Sequence, residues 1–165
     1  MFEKAKEALH QKLSTFEQKL TGSQEEEAVR LPKRKFLLVD SDKQYRNFVR
    51  DYVMTTEFDV MTVDNAQDAL DRLQNYVYDF AVISSTLPDM DGYELARMIG
   101  ADFTTKNLPI IMLEHEPFPP TPKAHNVTGC MSRTFNKEIL LTHIRYCFGR
   151  VTEAWKKEEE EESLV

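Results

Sequence analysis

Four polar residues stand at the ends of apolar segments, where a folded domain would collect side chains for chemistry. They are Asp40, Ser84, Glu114 and Arg133. The segments are KFLLVD (35–40), FAVIS (80–84), LPIIML (108–113) and GCMS (129–132), and each is typical of a buried strand. In a parallel sheet, functional groups gather at the carboxyl ends of the strands. Carboxylates can hold a cation, and arginine prefers carboxylates as bidentate partners, so a polar site is predicted there.

Helical patterns alternate with these strands along the chain. The predicted helices are YRNFVRDYV (45–53), AQDALDRLQNY (66–76), GYELARMIG (92–100) and KEILLTHIRYCFGRV (137–151), and FDVMTV (58–63) is a further strand. Continuous apolar strands that alternate with helices indicate a parallel sheet covered on both faces, an α/β fold. The segment 114–126 breaks this alternation, because Pro117, Pro119, Pro120 and Pro122 oppose a helix there. We expect an irregular loop that exposes Phe118, a candidate for protein contacts together with Pro117, Pro119 and Pro120.

The two ends of the chain lie outside this α/β pattern. Residues 1–20 form an amphipathic helix whose apolar seam consists of Phe2, Leu9, Leu13, Phe16 and Leu20. This seam predicts pairing between two chains or docking on the protein's own domain; a membrane-surface helix suits it less, because its polar face is mixed in sign. Residues 21–34 are predicted to be a linker after a helix end at Gly22. Residues 152–165 are predicted to extend the last helix into an acidic tail that frays.

Composition excludes several classes of function. The chain has 165 residues and a formal net charge of −7, which opposes binding to nucleic acid. Cys130 and Cys147 are predicted to be free thiols, and the four histidines show no metal-ligand spacing. No signal peptide or membrane-spanning run is evident, so a cytoplasmic protein without membrane association is expected.

The phrases FLLVDSD and LPDMDGYEL, in this order of elements, resemble the receiver domain of bacterial response regulators. The resemblance covers residues 35–151. It implies a flavodoxin-like, doubly wound sheet of five parallel strands in the order 2-1-3-4-5, here with the fourth helix lost or shortened. It also implies a pocket in which two acids hold Mg²⁺, an aspartate accepts a phosphoryl group, and a hydroxyl and a lysine contact that group.

Several pocket positions depart from the family pattern. Asp40 keeps the first acid, but Ser41 takes the place of the second, and Asp42 lies one residue further on. Ser84 stands at the acceptor position. Glu114 replaces the hydroxyl and Arg133 replaces the lysine. We expect Arg133 to pair with Glu114, Asp40 or both, in the space that a phosphoryl group would take; the alternative is that both side chains lie on the surface.

Thr134 follows Arg133 where the family has a proline, so we expect a trans bond between them.

These departures predict a pseudo-receiver, a non-enzymatic module that binds proteins without phosphorylation, cofactor or more than weak Mg²⁺ binding. A homodimer through the N-terminal helix, or through the face of the fifth strand and fifth helix, is one form of partner contact. Alternatives are phosphorylation of Ser84 by a Ser/Thr kinase at an accessible site, and a displaced acceptor at Asp89 or Asp91. A small-molecule sensor in the same shell is a third, although DSDKQYR lacks a glycine-rich phosphate loop.

Overall fold

The computed structural model describes residues 2–26, 33–115 and 126–164. These residues form two compact units, Met1–Lys33 and Arg34–Val165. In the described ranges, none of the helices has the length and apolar character needed to cross a membrane.

The second unit is built on a sheet of five parallel strands. The strands are β1 (Arg34–Val39), β2 (Phe58–Val63), β3 (Phe80–Ser84), β4 (Ile110–Glu114) and β5 (Val127–Ser132). Their order across the sheet is β2-β1-β3-β4-β5, which confirms the predicted topology. This order makes β2 and β5 the edge strands and places β1 and β3 side by side in the middle.

Apolar residues fill both faces of this sheet, which is why the inner strands β1, β3 and β4 contain continuous apolar runs. Along β1, Phe36 and Leu38 belong to one core cluster, and Leu37 and Val39 belong to the other. Because side chains alternate between faces along a strand, one unbroken run supplies both cores.

In the described part of the second unit, four helices cover the sheet. They are α2 (Lys43–Val53), α3 (Ala66–Asn75), α4 (Gly92–Ala101) and α5 (Lys137–Ser163). The buried residues of α2 and α5 join the core cluster that contains Phe36, and those of α3 and α4 join the other. Each of the four helices begins at a side chain that caps its first turn: Asp42, Asn65, Asp91 and Asn136.

The first unit contains α1 (Phe2–Glu26), a helix of 25 residues. It continues through Gly22, so the predicted helix end and the predicted start of the linker are wrong. Glycine costs about 1 kcal/mol in a helix interior, and the flanking residues can outweigh that cost. Phe2, Leu9 and Leu13 are exposed, whereas the side chains of Phe16 and Leu20 lie outside the described part of the chain.

Two other predictions concern the segment after β4 and the C-terminal tail. The proline segment, with Pro117, Phe118, Pro119 and Pro120, lies outside the described residues, and so does the place of the fourth receiver helix. Helix α5 continues to Ser163, and the fraying of its acidic end stays a prediction. Glutamate is a good helix former, which favours this continuation despite the repulsion among the charges.

Gly92 offers a test of how tightly the loop after β3 packs. A Cβ atom at this position would lie 2.1 Å from the backbone oxygen of Ser84 and 2.8 Å from the Cα of Ser85. Backbone cannot give way as a flexible side chain can, so Gly92→Ala should lower the free energy of unfolding by about 1–3 kcal/mol. Urea denaturation followed by circular dichroism measures this change.

Gly149 in α5 provides the matched control. A Cβ atom there meets nothing within 4 Å, so Gly149→Ala should be neutral or should stabilise the protein by up to about 1 kcal/mol. Equal stability of the two variants would show that the close approach at Gly92 does not constrain the loop.

Candidate functional site at the carboxyl edge of the sheet

The four polar residues found in the sequence lie at the carboxyl edge of the sheet. Asp40 directly follows β1, Ser84 ends β3, Glu114 ends β4 and Arg133 directly follows β5. Asp40, Ser84 and Glu114 are the buried polar residues in the described part of the chain. The fold therefore brings polar groups together beneath the surface at one edge, and their partners determine what this edge can do.

An ion pair between Asp40 and Arg133 is the centre of this site. Nη2 of Arg133 lies 2.6 Å from Oδ1 of Asp40 and 3.4 Å from Oδ2 of Asp42. The same Asp40 oxygen accepts a hydrogen bond from the backbone N–H of Asp42 at 2.8 Å. The Asp40 side chain is 1% exposed and that of Arg133 is 18% exposed, so the pair is largely shielded from water. Arg133 was expected to pair with Asp40, Glu114 or both, and in the structure it forms an ion pair with Asp40.

Burial dominates the electrostatics of Asp40. Loss of hydration raises the pKa of its carboxyl group, and this effect exceeds the lowering by the Asp42 N–H and by the Arg133 charge. Oδ2 of Asp40 and Nε of Arg133 are also buried, and neither has a hydrogen-bond partner among the described residues. The pair is thus formed through one oxygen and one nitrogen rather than as a bidentate contact.

Tyr45, which sequence reasoning missed, holds the arginine from one side. The guanidinium carbon of Arg133 lies 4.4 Å from the centre of the Tyr45 ring, within the range of a cation–π contact. Phe135 packs edge-on against the same ring, with centroids 5.5 Å apart. Burial and the nearby Asp40 charge raise the pKa of Tyr45 to about 12. The sequence signal was an aromatic residue in the first turn of the helix that follows Asp40.

Asp42 serves the fold as the cap of α2. Its carboxylate accepts hydrogen bonds from the N–H groups of Gln44 and Tyr45, at 2.9 and 3.3 Å. Ser41, at the position of the second family acid, is exposed. The acidic pair suggested by the sequence is therefore one buried carboxylate paired with arginine and one helix cap.

Ser84 is enclosed rather than accessible. Its side chain is 2% exposed, and its hydroxyl donates a hydrogen bond to the backbone oxygen of Thr86 at 3.1 Å. The expectation that an external kinase could reach this serine at a shallow site is therefore wrong. In this structure Ser84 fills the end of a buried strand and ties the following loop to it.

Glu114 has a partner of its own in Tyr93, a second residue that sequence reasoning missed. The Tyr93 hydroxyl donates to Oε1 of Glu114 at 2.7 Å and lies 3.9 Å from Sγ of Cys130. Burial, followed by the hydrogen bond to Glu114, raises the pKa of Tyr93, and burial raises the pKa of the Cys130 thiol. Tyr93 lies in the first turn of α4, two residues after the cap Asp91, as Tyr45 lies near its own cap.

The loop aspartates offered as displaced acceptors have structural partners. Asp89 accepts hydrogen bonds from the N–H groups of Ala66 and Gln67 at the start of α3, and these bonds lower its pKa. Asp91 accepts from the N–H of Tyr93 as the cap of α4. The loop therefore joins α3 to α4 through its acids.

A further expectation concerns the backbone between Arg133 and Thr134. No peptide bond in the described ranges is cis, so Arg133 and Thr134 are joined by the trans bond expected from the missing proline. In those same ranges, no three His, Cys, Asp or Glu side chains form a group that could hold a metal ion.

The fold and the position of this site define a receiver-type α/β domain, and comparison with known proteins gives its family. The chain belongs to the response regulator receiver domain family, whose family model matches residues 36–145. Receiver domains interact with other proteins in two-component signalling.

The similarity to curated relatives covers less than half of this chain. The chain is 30% identical over 77 residues to the heme response regulator HssR of Staphylococcus saprophyticus, which is 47% of this chain and 33% of HssR. It is 34% identical over 80 residues to the transcriptional regulatory protein GltR of Pseudomonas aeruginosa, or 48% of this chain and 33% of GltR. The similarity thus spans about a third of the length of each relative.

Solved structures show the same architecture. The chemotaxis response regulator CheY4 of Vibrio cholerae is 26% identical, with a TM-score of 0.62 over 70% of this chain and 98% of CheY4. A signal receiver domain of an HD domain-containing protein from Pseudomonas fluorescens is 19% identical, with a TM-score of 0.63 over 73% and 98%. The second likeness is one of fold alone.

The ion pair leads to a prediction about Asp40. Its pKa in the folded protein should lie above the ordinary value of about 3.9, because burial outweighs the Arg133 charge. Arg133→Met should raise this pKa further, since the opposite charge is removed. A titration of side-chain carboxyl ¹³C shifts by NMR, with Asp40→Asn to assign the signal, measures both values.

The sign of the stability effect follows from the raised pKa. The folded state holds the Asp40 proton more tightly than the unfolded state, so this contribution is complete below the unfolded pKa and is lost as pH rises through the folded pKa. The stability of the wild-type protein should therefore fall relative to Asp40→Asn across that interval. Arg50→Met, at an exposed arginine of α2, is the control that should leave Asp40 unchanged. An Asp40 pKa at or below the ordinary value would contradict the prediction.

Proposed function

We propose that this protein is a pseudo-receiver: a receiver domain that binds protein partners without accepting a phosphoryl group. The ion pair between Arg133 and Asp40 carries this proposal. Nη2 of Arg133 lies 2.6 Å from the only family-type acid kept after β1, within a site whose acceptor position is Ser84. The phosphorylated form of a receiver depends on both of these positions.

The chemistry of the acceptor position supports the first part of the proposal. Receiver phosphorylation forms an acyl phosphate, which requires a carboxylate, and Ser84 offers a hydroxyl instead. That hydroxyl is buried and donates to the backbone oxygen of Thr86. The nearby loop acids do not replace it, because Asp89 and Asp91 accept hydrogen bonds from the N-termini of α3 and α4. Phosphorylation at Ser84 or at a displaced aspartate is therefore the weaker candidate.

The donor set also fits Mg²⁺ poorly. Mg²⁺ requires near-octahedral oxygen ligands, usually with one or two carboxylates and phosphate oxygens. Here Asp40, the buried carboxylate after β1, is already paired with the guanidinium group of Arg133, and Asp42 caps α2. A cation would have to displace Arg133 and then meet its positive charge at close range. We therefore propose a protein without a cofactor and with weak or no Mg²⁺ binding.

The buried charge of Arg133 also gives a physical reason why the pocket would stay in one state. In a receiver, phosphorylation brings a charged group and a metal into the pocket and so changes its electrostatics. In this protein the positive charge of Arg133 is built in; the Tyr45 ring contacts its guanidinium group, and Phe135 packs against that ring. The pocket then has no site for a removable charge. Regulation would come from the partners that are present rather than from phosphorylation of the domain.

Surface chemistry supports proteins as the partners. Ile139 and Tyr146 are exposed one heptad apart on α5, and Phe135 is exposed just before that helix. The spacing of seven residues places Ile139 and Tyr146 on the same side of α5, and an exposed apolar helix face is a candidate for protein contacts. The net charge of −7 disfavours nucleic acid and membrane surfaces. A small-molecule sensor is not favoured, because the loop after β1 lacks a glycine-rich phosphate cradle.

Phosphoryl transfer tests the proposal directly. After incubation with acetyl phosphate and Mg²⁺, intact mass spectrometry should detect no phosphoryl group on the wild-type protein. Ser84→Asp alone should gain little, because Arg133 still holds Asp40. The double variant Ser84→Asp/Arg133→Lys should take up several times more, because lysine is a smaller point charge that leaves Asp40 freer to bind Mg²⁺.

Ser84→Asp/Arg50→Lys is the matched control, since it carries the same type of change at an exposed arginine. It should behave like Ser84→Asp. An acyl phosphate on any aspartate of the wild-type protein would overturn the proposal. Equal phosphoryl uptake by Ser84→Asp and Ser84→Asp/Arg133→Lys would show that Arg133 does not prevent phosphorylation.

A further inference from the structure

We propose that α1 pairs with α1 of a second copy of the protein as a parallel, in-register, two-stranded coiled coil. This inference goes beyond the proposed pseudo-receiver function and does not depend on it, because it concerns the first unit alone. It names the partner of a helix face that the receiver fold does not explain.

The helix has the form that such a pairing needs. It runs without a break over Phe2–Glu26, so its 25 residues extend about 37 Å. Phe2, Leu9 and Leu13 are 87%, 61% and 52% exposed. Three large apolar side chains on one face of a helix are unusual when they are exposed to water. Burying this face would remove a large apolar area from water, which is the main driving force for association.

The spacing on this face is that of a coiled-coil seam. Positions 2, 6, 9, 13, 16 and 20 are separated alternately by four and three residues, the pattern of the core positions a and d in a heptad. Phe2, Leu9 and Phe16 then occupy position d, and Lys6, Leu13 and Leu20 occupy position a. This register also fixes which charged residues flank the seam.

Charge complementarity selects a second copy in parallel orientation. Lys12 occupies position g and Glu17 occupies position e of the next heptad. In a parallel pair, g of one helix faces e of the next heptad in its partner, so Lys12 of each copy meets Glu17 of the other. An antiparallel pair would instead bring Lys12 against Lys12 and Glu3 towards Glu17. Two copies of the helix are therefore complementary in charge only when they pair in parallel.

Lys6 at position a favours two strands in a single register. A polar residue at one core position fixes register and oligomeric state at a cost in stability. The long lysine stem can cover the apolar seam while its ammonium group reaches water, which is easiest at the open edge of a two-stranded core. A bilayer surface is a poorer partner, because the flanks of the seam carry Glu3 and Glu17 as well as Lys12.

Sedimentation equilibrium of the full chain tests this arrangement. The wild-type protein should show a concentration-dependent monomer–dimer equilibrium, and Leu9→Asp should abolish it. Lys12→Glu and Glu17→Lys should each raise the dissociation constant by about tenfold, because each converts two attractive pairs into repulsive ones. The double variant Lys12→Glu/Glu17→Lys should restore the wild-type value. Circular dichroism of each variant shows whether its fold is intact.

Mixing the two single variants gives the sharpest readout. In the mixed dimer both g–e pairs are attractive, so Lys12→Glu and Glu17→Lys should associate with each other more tightly than either does with itself. Lys4→Glu is the matched control, because it makes the same charge change at position f, which faces away from the partner. It should leave the equilibrium unchanged.

Three results would overturn the inference. A full chain that stays monomeric at high micromolar concentration has no such pairing. A dimer that survives Leu9→Asp is formed elsewhere, for example through the face of β5 and α5. A dimer weakened by both single charge changes but not restored by the double change is not parallel.

Discussion

The ion pair between Asp40 and Arg133 joins two strands that are not neighbours. Asp40 follows β1 and Arg133 follows β5, and β3 and β4 lie between these strands in the sheet. The Arg133 side chain therefore reaches past the carboxyl ends of β3 and β4 to lie 2.6 Å from Asp40. The groups beneath and beside it are arranged around this link: the small Ser84 at the end of β3, the Tyr45 ring against the guanidinium, and the Asp42 N–H on the carboxylate.

A link of this kind does not stabilise the fold simply because its charges attract. Removing Asp40 and Arg133 from water costs free energy that offsets their attraction, and the same burial raises the pKa of Asp40. Its main effect is to fix geometry. Once formed, the pair opposes the loss of either member, since a lone buried charge is far more costly than the pair. The pair thereby links the residue after β1 to the residue after β5 across the carboxyl edge of the sheet.

Sequence patterns predicted the sheet because its physics is local. The four residues between the charged ends of KFLLVD are all apolar, which is typical of a strand buried on both faces. The site was predicted less completely. Strand ends located Asp40, Ser84, Glu114 and Arg133, but Tyr45 and Tyr93 were missed because the direction of a helical side chain depends on how the helix docks. The helix end predicted at Gly22 was wrong for a related reason. A glycine in a helix costs only a modest amount of free energy, which the rest of the helix can outweigh.

The loop LPDMDGYEL carries the family resemblance through contacts that position helices. Asp89 accepts hydrogen bonds from the first turn of α3, Asp91 caps α4, and Gly92 lets the chain pass close to the backbone of Ser84. None of these contacts involves a phosphoryl group, and each holds a helix against the sheet. The residues at 84, 114 and 133 have side chains that point into the edge instead, and these are the positions that depart from the family pattern. The contacts of the loop therefore depend on its own residues and not on the side chains at 84, 114 and 133, so the motif that identifies the family is compatible with different residues in the pocket.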